Sequence, residues 1–123
     1  MPKPEGKALQ LGSREFVVPE LSIFIARRLN TDLLPKVDAA RDALLNARAA
    51  NAPDEEIVRL SHEYADRVLD AALLLLSENY PDLEREELER CLRVRDLASL
   101  VQRLLAAASP ELPAGEAASQ QST

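Results

Sequence analysis

The stretch DEEIVRLSHEYADRVLDAALLLL, residues 54–76, sets apolar side chains at Ile57, Leu60, Tyr64, Val68, Ala71 and Leu75. At about 100° per residue these fall on one line along a helix, and a line five turns long predicts the longest and central helix of the fold. Asp54 supplies an N-cap, and Glu55 and Glu56 supply first-turn acids that complement the helix dipole. The helix is expected to stop near Asn79, because the residue before Pro81 is pushed out of the helical region. On the same wheel Leu73 falls on the far side from this line, among Arg59, Asp66, Asp70 and Ser77, with Leu69 and Leu76 flanking it. A helix that turns apolar all round in its C-terminal half must be covered on both sides. The cover is either the chain's own hairpin and last helix or another molecule.

N-terminal to this helix, KALQLGSREFVVP (residues 7–19) alternates Leu9 and Leu11 before Gly12-Ser13, then Phe16 and Val18 before Pro19. A glycine at the first turn position permits the positive φ of a type II′ turn, so residues 8–19 read as a β-hairpin, with a single extended arm as the other reading. From Glu20, the residues Leu21, Phe24, Ile25 and Leu29 have helical spacing, with Arg27 and Arg28 beyond them. Asn30-Thr31-Asp32 offers cap chemistry for a second helix that tolerates Pro35 in its first turn and runs to about Ala50 on a narrow face of Val37, Ala40, Leu44 and Ala47. Asn51-Ala52-Pro53-Asp54 is a linker that breaks the pattern. Downstream, Asp82 is placed to cap a short acid-rich helix over Leu83–Leu92. A last helix from Asp96 presents Leu97, Leu100, Val101, Leu104 and Leu105 at i, i+3, i+4, i+7 and i+8.

The fold class that follows is mainly α: about five helices around one core, with a small N-terminal β-hairpin. A chain of 123 residues supports one such domain, placed at 8–108. Residues 1–7, with Pro2, Pro4 and Gly6, are expected to be a disordered lead-in, and PELPAGEAASQQST in the 109–123 region a disordered tail without periodicity. Aromatic residues are 3% of the chain and Trp is absent, so the core is expected to be aliphatic, which suits packed helices. The formal charge of −6 repels polyanions, which argues against nucleic acid as a partner. The longest apolar run, Ala71–Leu76, is far short of a membrane span, and MPKPEGKALQ has no secretory h-region, so a cytoplasmic protein is expected.

Residue types that carry chemistry are sparse. His62 is the one histidine and has no His or Cys at i+3 or i+4 to form a metal pair. Cys91 lies in ERCLR without a nucleophile signature and reads as a small buried hydrophobe. The acids of DLEREELE, interleaved with Arg85 and Arg90, read as a solvated helix start, and the glycines at 6, 12 and 115 never cluster into a phosphate loop. Arg27, Arg28, Arg90, Arg93, Arg95 and Arg103 are local basic spots without a recognition-helix pattern. Catalytic, metal and cofactor residues are therefore assigned as none, and the protein is expected not to be an enzyme. Contact with a partner or a second copy is assigned instead to Leu69, Leu73, Leu76, Leu97, Leu100, Val101 and Leu104.

Two stretches, LQLGSREFVVPELSI (residues 9–23) and LLLLSENYPDLEREELERCLRVRDLASLVQRLL (residues 73–105), together resemble the tail assembly chaperones of siphophages, the lambda-like long-tailed bacteriophages. The order strand, Gly turn, strand, Val-Pro, Leu-Ser, and later apolar helix, aromatic-Pro step, Glu-Glu-Leu helix and final leucine helix is similar over about half the chain. The resemblance implies a non-enzymatic factor that coats the tape measure protein during tail assembly and recruits tail tube protein. It further implies self-association into a homo-oligomer, residence in the bacterial host's cytoplasm and absence from the finished virion. The reading of a different class is a helical regulatory or antitoxin-like adaptor that binds one protein partner.

Overall fold

The computed structural model describes residues 6–109. Two antiparallel strands, β1 (Lys7–Leu11) and β2 (Arg14–Val18), are followed by α1 (Ile23–Arg28), α2 (Leu34–Ala49), α3 (Asp54–Leu76), α4 (Arg85–Cys91) and α5 (Leu97–Ala108). A π-helical turn, Leu29–Leu33, joins α1 to α2, and a 3-10 turn, Val94–Asp96, leads into α5. The protein is mainly helical with an N-terminal hairpin, as its sequence pattern predicts. The expected tail (109–123), apart from Ser109, which caps α5, and most of the lead-in (1–7) lie outside the described residues. Lys7, assigned to the lead-in, is the first residue of β1.

The helix count differs from the expectation of five. Leu29 and Leu33 keep right-handed helical dihedrals (φ −60°, ψ −52° and φ −75°, ψ −45°), so α1, the π turn and α2 form one continuous rod and the described residues hold four separate helices. Asn30-Thr31-Asp32 does not cap a new helix. Its side chains act within the rod: the Thr31 hydroxyl donates to the Arg27 carbonyl at 2.6 Å, and Asp32 pairs with Lys36 one turn on at 3.0 Å. Pro35 explains the π turn. It has no N–H to give its i−4 carbonyl and its ring crowds that carbonyl, and a wider turn relieves the conflict without breaking the helix.

The rod ends in a Schellman motif. Asn51 takes the left-handed φ of +55°, its N–H donates to Arg48 O at 3.1 Å, and the Ala52 N–H donates to Ala47 O at 2.9 Å. The chain reverses there, and α3 packs back along α2. Pro53, and not Asp54, occupies the cap position; Asp54, Glu55 and Glu56 all lie in the first turn, where the dipole favours them. Helix α3 ends at Leu76, with Ser77 closing it by a 2.7 Å bond to the Leu74 carbonyl. Glu84 takes the capping role expected of Asp82: it forms a capping box with Glu87, and α4 accordingly starts at Arg85.

No residue from Arg67 to Ser77 is exposed. This half of α3 is the axis of the core, and Val68, Ala71, Ala72 and Leu76 are at 0% exposure. Leu11, Phe16 and Val18 of the hairpin, Leu88 of α4, and Leu100, Leu104 and Ala108 of α5 are equally buried and close the core around it.

The hairpin is fastened at three places. At its outer β2 edge the Val17 N–H donates to the Tyr80 hydroxyl oxygen and the Val17 carbonyl accepts from Asn79 Nδ2, each at 2.8 Å. Phe16 meets the Tyr80 ring edge-on, with centroids 5.3 Å apart and an interplanar angle of 84°. At its turn, Gly12 (φ +61°) presses on the end of α4 and the Ser13 N–H donates to the Cys91 carbonyl at 3.1 Å. The register pairs Leu11 with Arg14, leaving a two-residue loop with the positive φ at its first position, as a type II′ turn requires. A Cβ on Gly12 would stand 1.7 Å from the Cys91 oxygen.

Gly12→Ala is therefore expected to lower the unfolding free energy by at least about 2 kcal/mol, because left-handed strain of roughly 1–2 kcal/mol adds to the displacement of α4. In thermal melts that is a fall of roughly 10 °C, checked by circular dichroism; an unchanged midpoint would mean that the turn does not rest on α4.

Candidate interaction surface

The seven apolar residues assigned to partner contact separate into two groups. Leu69 (4% exposed), Leu76, Leu100 and Leu104 (each 0%) are consumed by the chain's own core and present no surface. This corrects their assignment: the hairpin and α5 cover that side of α3, the intramolecular alternative for an all-round apolar helix. Leu73, Leu97 and Val101 are half-buried and pack at the margin of the core.

Leu73 lines an open cleft. The cleft has a volume of about 470 Å³ and is lined by Leu33, Leu73, Leu74, Tyr80 and Leu83 together with Arg28, Asp70 and Ser77. Three elements build it. The π turn puts Leu33 at one wall, the far side of α3 supplies Leu73 and Leu74, and the Tyr80-Pro81 step turns the chain so that Leu83 closes the other wall. Tyr80 is held at both ends, by its ring against Phe16 and by its hydroxyl at Val17.

Electrostatics at the cleft are uneven. Asp70 is bonded by Arg85, which also reaches Asp66 at 3.2 Å and so ties α4 to two successive turns of α3. Asp70's charge is thereby offset within the protein. Arg28 has no comparable carboxylate partner among the described residues.

One apolar side chain escapes the pattern that predicts burial. Phe24 was expected on the inward stripe of the first helix but is 65% exposed, and neighbouring Ile23 is 75% exposed. The inward direction is set by Ile25 and Leu29, which are buried. Phe24 lies one residue, about 100°, away from Ile25 on the wheel and points out beside Arg28, one turn on along the same flank. The signal was present in the spacing, since Phe24 and Arg28 stand at i and i+4.

The chemical residues are apart from this cleft. His62 is exposed on the N-terminal half of α3. Cys91 is 7% exposed beneath the hairpin turn, where its Sγ donates to the Leu88 carbonyl at 3.4 Å. Burial pushes its thiol above the ordinary value of 9.0, and the nearby Arg14 and Arg93 only partly oppose this. Among the described residues no three His, Cys, Asp or Glu side chains gather as a metal ion requires, and no helix is long and apolar enough to cross a membrane.

Comparison of the chain with family models, with curated proteins and with solved structures found no match.

The raised thiol has a pH consequence. The folded state keeps the Cys91 proton where the unfolded chain has released it, so the stabilisation is full below the unfolded value and is lost as pH rises through the folded one. Iodoacetamide is expected to alkylate native Cys91 much more slowly at pH 8 than it alkylates the urea-unfolded chain. Equal rates, read by mass spectrometry, would show an accessible thiolate.

Proposed function

We propose that this protein is a non-enzymatic tail assembly chaperone whose Leu73 cleft holds an apolar helical segment of a phage tape measure protein. The observation that supports the reading is the cleft itself: a trough on an acidic domain that sets Leu33, Leu73, Leu74 and Leu83 beside the ionic side chains of Arg28 and Asp70. Such a trough matches an amphipathic helix laid into a groove, the mode in which leucines at i, i+3, i+4 and i+7 of the guest meet the apolar side chains of the lining. A long helical protein awaiting assembly exposes apolar stripes of this kind, and a host domain with a charge of −6 keeps the complex in solution.

Recruitment of tail tube protein, self-association into a homo-oligomer, action in the cytoplasm of the bacterial host and absence from the virion belong to the same reading. They rest on the resemblance of residues 9–23 and 73–105 to that family.

The test is co-expression of the tagged chain with the tape measure protein of the same phage or prophage, followed by pull-down. Leu73→Glu places a charge in the cleft and is expected to reduce capture at least about tenfold while circular dichroism stays unchanged, since Leu73 is only half-buried. The same variant is expected to lower the oligomer mass in light scattering if copies meet through this cleft. No capture by the unmodified chain would overturn the chaperone reading. Undiminished capture by Leu73→Glu would remove the cleft from it.

A further inference from the structure

A second cleft, sharing no residue with the first, opens where the hairpin turn meets the end of α4 and the start of α5. Its volume is about 430 Å³, and Gln10, Ser13, Arg93, Arg95, Asp96 and Arg103 line it. Three guanidinium groups and one carboxylate give it a local positive charge in a chain whose formal net charge is −6.

Most arginines elsewhere on this surface are matched to acids: Arg14 to Glu87, Arg41 to Asp38, Arg59 to Glu56, Arg85 to Asp66 and Asp70, and Arg90 to Glu86. The three in the cleft are not. Arg93 Nη1 donates to the carbonyls of Arg90 and Leu92, each at 3.3 Å, and Arg103 Nη2 donates to the Gln10 carbonyl at 2.5 Å. Each bond orders one arm of the guanidinium and leaves other N–H groups of the fork unspent. Among the described residues the Arg95 side chain has no hydrogen bond or ion pair. Asp96, whose Oδ2 accepts from the Arg93 backbone N–H at 2.8 Å, keeps its charge and offsets one of the three guanidinium groups, so the cleft remains locally positive.

An exposed apolar side chain lies on the same turn, outside the lining of the cleft. Val94 stands between Arg93 and Arg95 on the 3-10 turn and is 84% exposed, more than any other large apolar side chain among the described residues. The Asp96 bond to Arg93 holds that turn in shape, so the valine is presented by a fixed backbone.

We infer that this cleft docks an acidic segment of a partner protein, with carboxylates of the segment on Arg93, Arg95 and Arg103 and an apolar side chain of it against Val94. Charge complementarity selects the occupant. Planar guanidinium forks pair with carboxylates two bonds at a time, and the exposed valine favours a peptide with apolar side chains over a bare anion. Screening limits electrostatics to about 8 Å at physiological salt, so a short acidic segment responds to the local arginines. A long polyanion is repelled by the acidic remainder of the surface. The inference is independent of the chaperone reading, because it uses none of the Leu73 cleft.

The test is fluorescence anisotropy with a labelled synthetic peptide of alternating glutamate and leucine, against the full chain at low ionic strength. Saturable binding is expected, weakened at least about tenfold by Arg95→Glu and by a rise from about 0.05 to 0.5 M salt. Val94→Ser is expected to weaken it several-fold and Leu73→Glu to leave it unchanged. Arg95→Gln provides the same reading by charge removal should the glutamate variant lose helicity. An affinity indifferent to Arg95, equal binding of an alternating lysine and leucine peptide, equal competition by inorganic phosphate, or tighter binding of a single-stranded oligonucleotide would each overturn the inference.

Discussion

Everything in this fold depends on covering one helical segment. From Arg67 to Ser77 every residue of the central helix and its cap is buried or half-buried, so this half lacks the fully wet face of an ordinary amphipathic helix. A segment of this kind is stable only when packed from every direction, and the remaining elements are arranged to do so. The α1–α2 rod lies along one side, α5 and the hairpin close others, and α4 is held against α3 by Arg85. At Leu73 its neighbours leave a cleft.

The hairpin shows how tightly the parts constrain one another. Two strands are too few to be stable in water, and this pair persists because larger elements finish it. Phe16, Leu11 and Val18 give it an inner face in the core. Tyr80 and Asn79 take up the hydrogen-bonding groups of Val17 at the β2 edge, Arg103 takes the Gln10 carbonyl at the other edge, and the Cys91 carbonyl receives the turn. These bonds also blunt both edges against pairing with a further strand.

Much of this is legible in the chain. The apolar line from Ile57 to Leu75, the Gly12 turn and the leucine pattern of α5 each report a local preference that tertiary packing reinforces. The misreadings occur where a local signal has two physical outcomes. Asn30-Thr31-Asp32 before a proline spells a helix start, yet a helix already under way absorbed Pro35 by widening one turn. Asp82 and Glu84 are both able to cap α4, and reciprocal bonding with Glu87 decides for Glu84. The contact surface was the least legible. Whether Leu69, Leu76, Leu100 and Leu104 face a partner or the chain's own hairpin depends on where the hairpin lands, which no periodicity within α3 encodes. Phe24 failed for the opposite reason, since helical spacing places it near the stripe while the exact facing of the rod turns it out to solvent.

The central claim is that the hairpin is an integral cover of α3 and opens only when the core opens. Native-state hydrogen exchange over a range of sub-denaturing urea concentrations tests it directly. The account predicts that the cross-strand amides of Phe16 and Val18 exchange with the same free energy and urea dependence as those of Ala71–Leu76, equal to the values for global unfolding. Hairpin amides that exchange through a small local opening while α3 stays protected would contradict it.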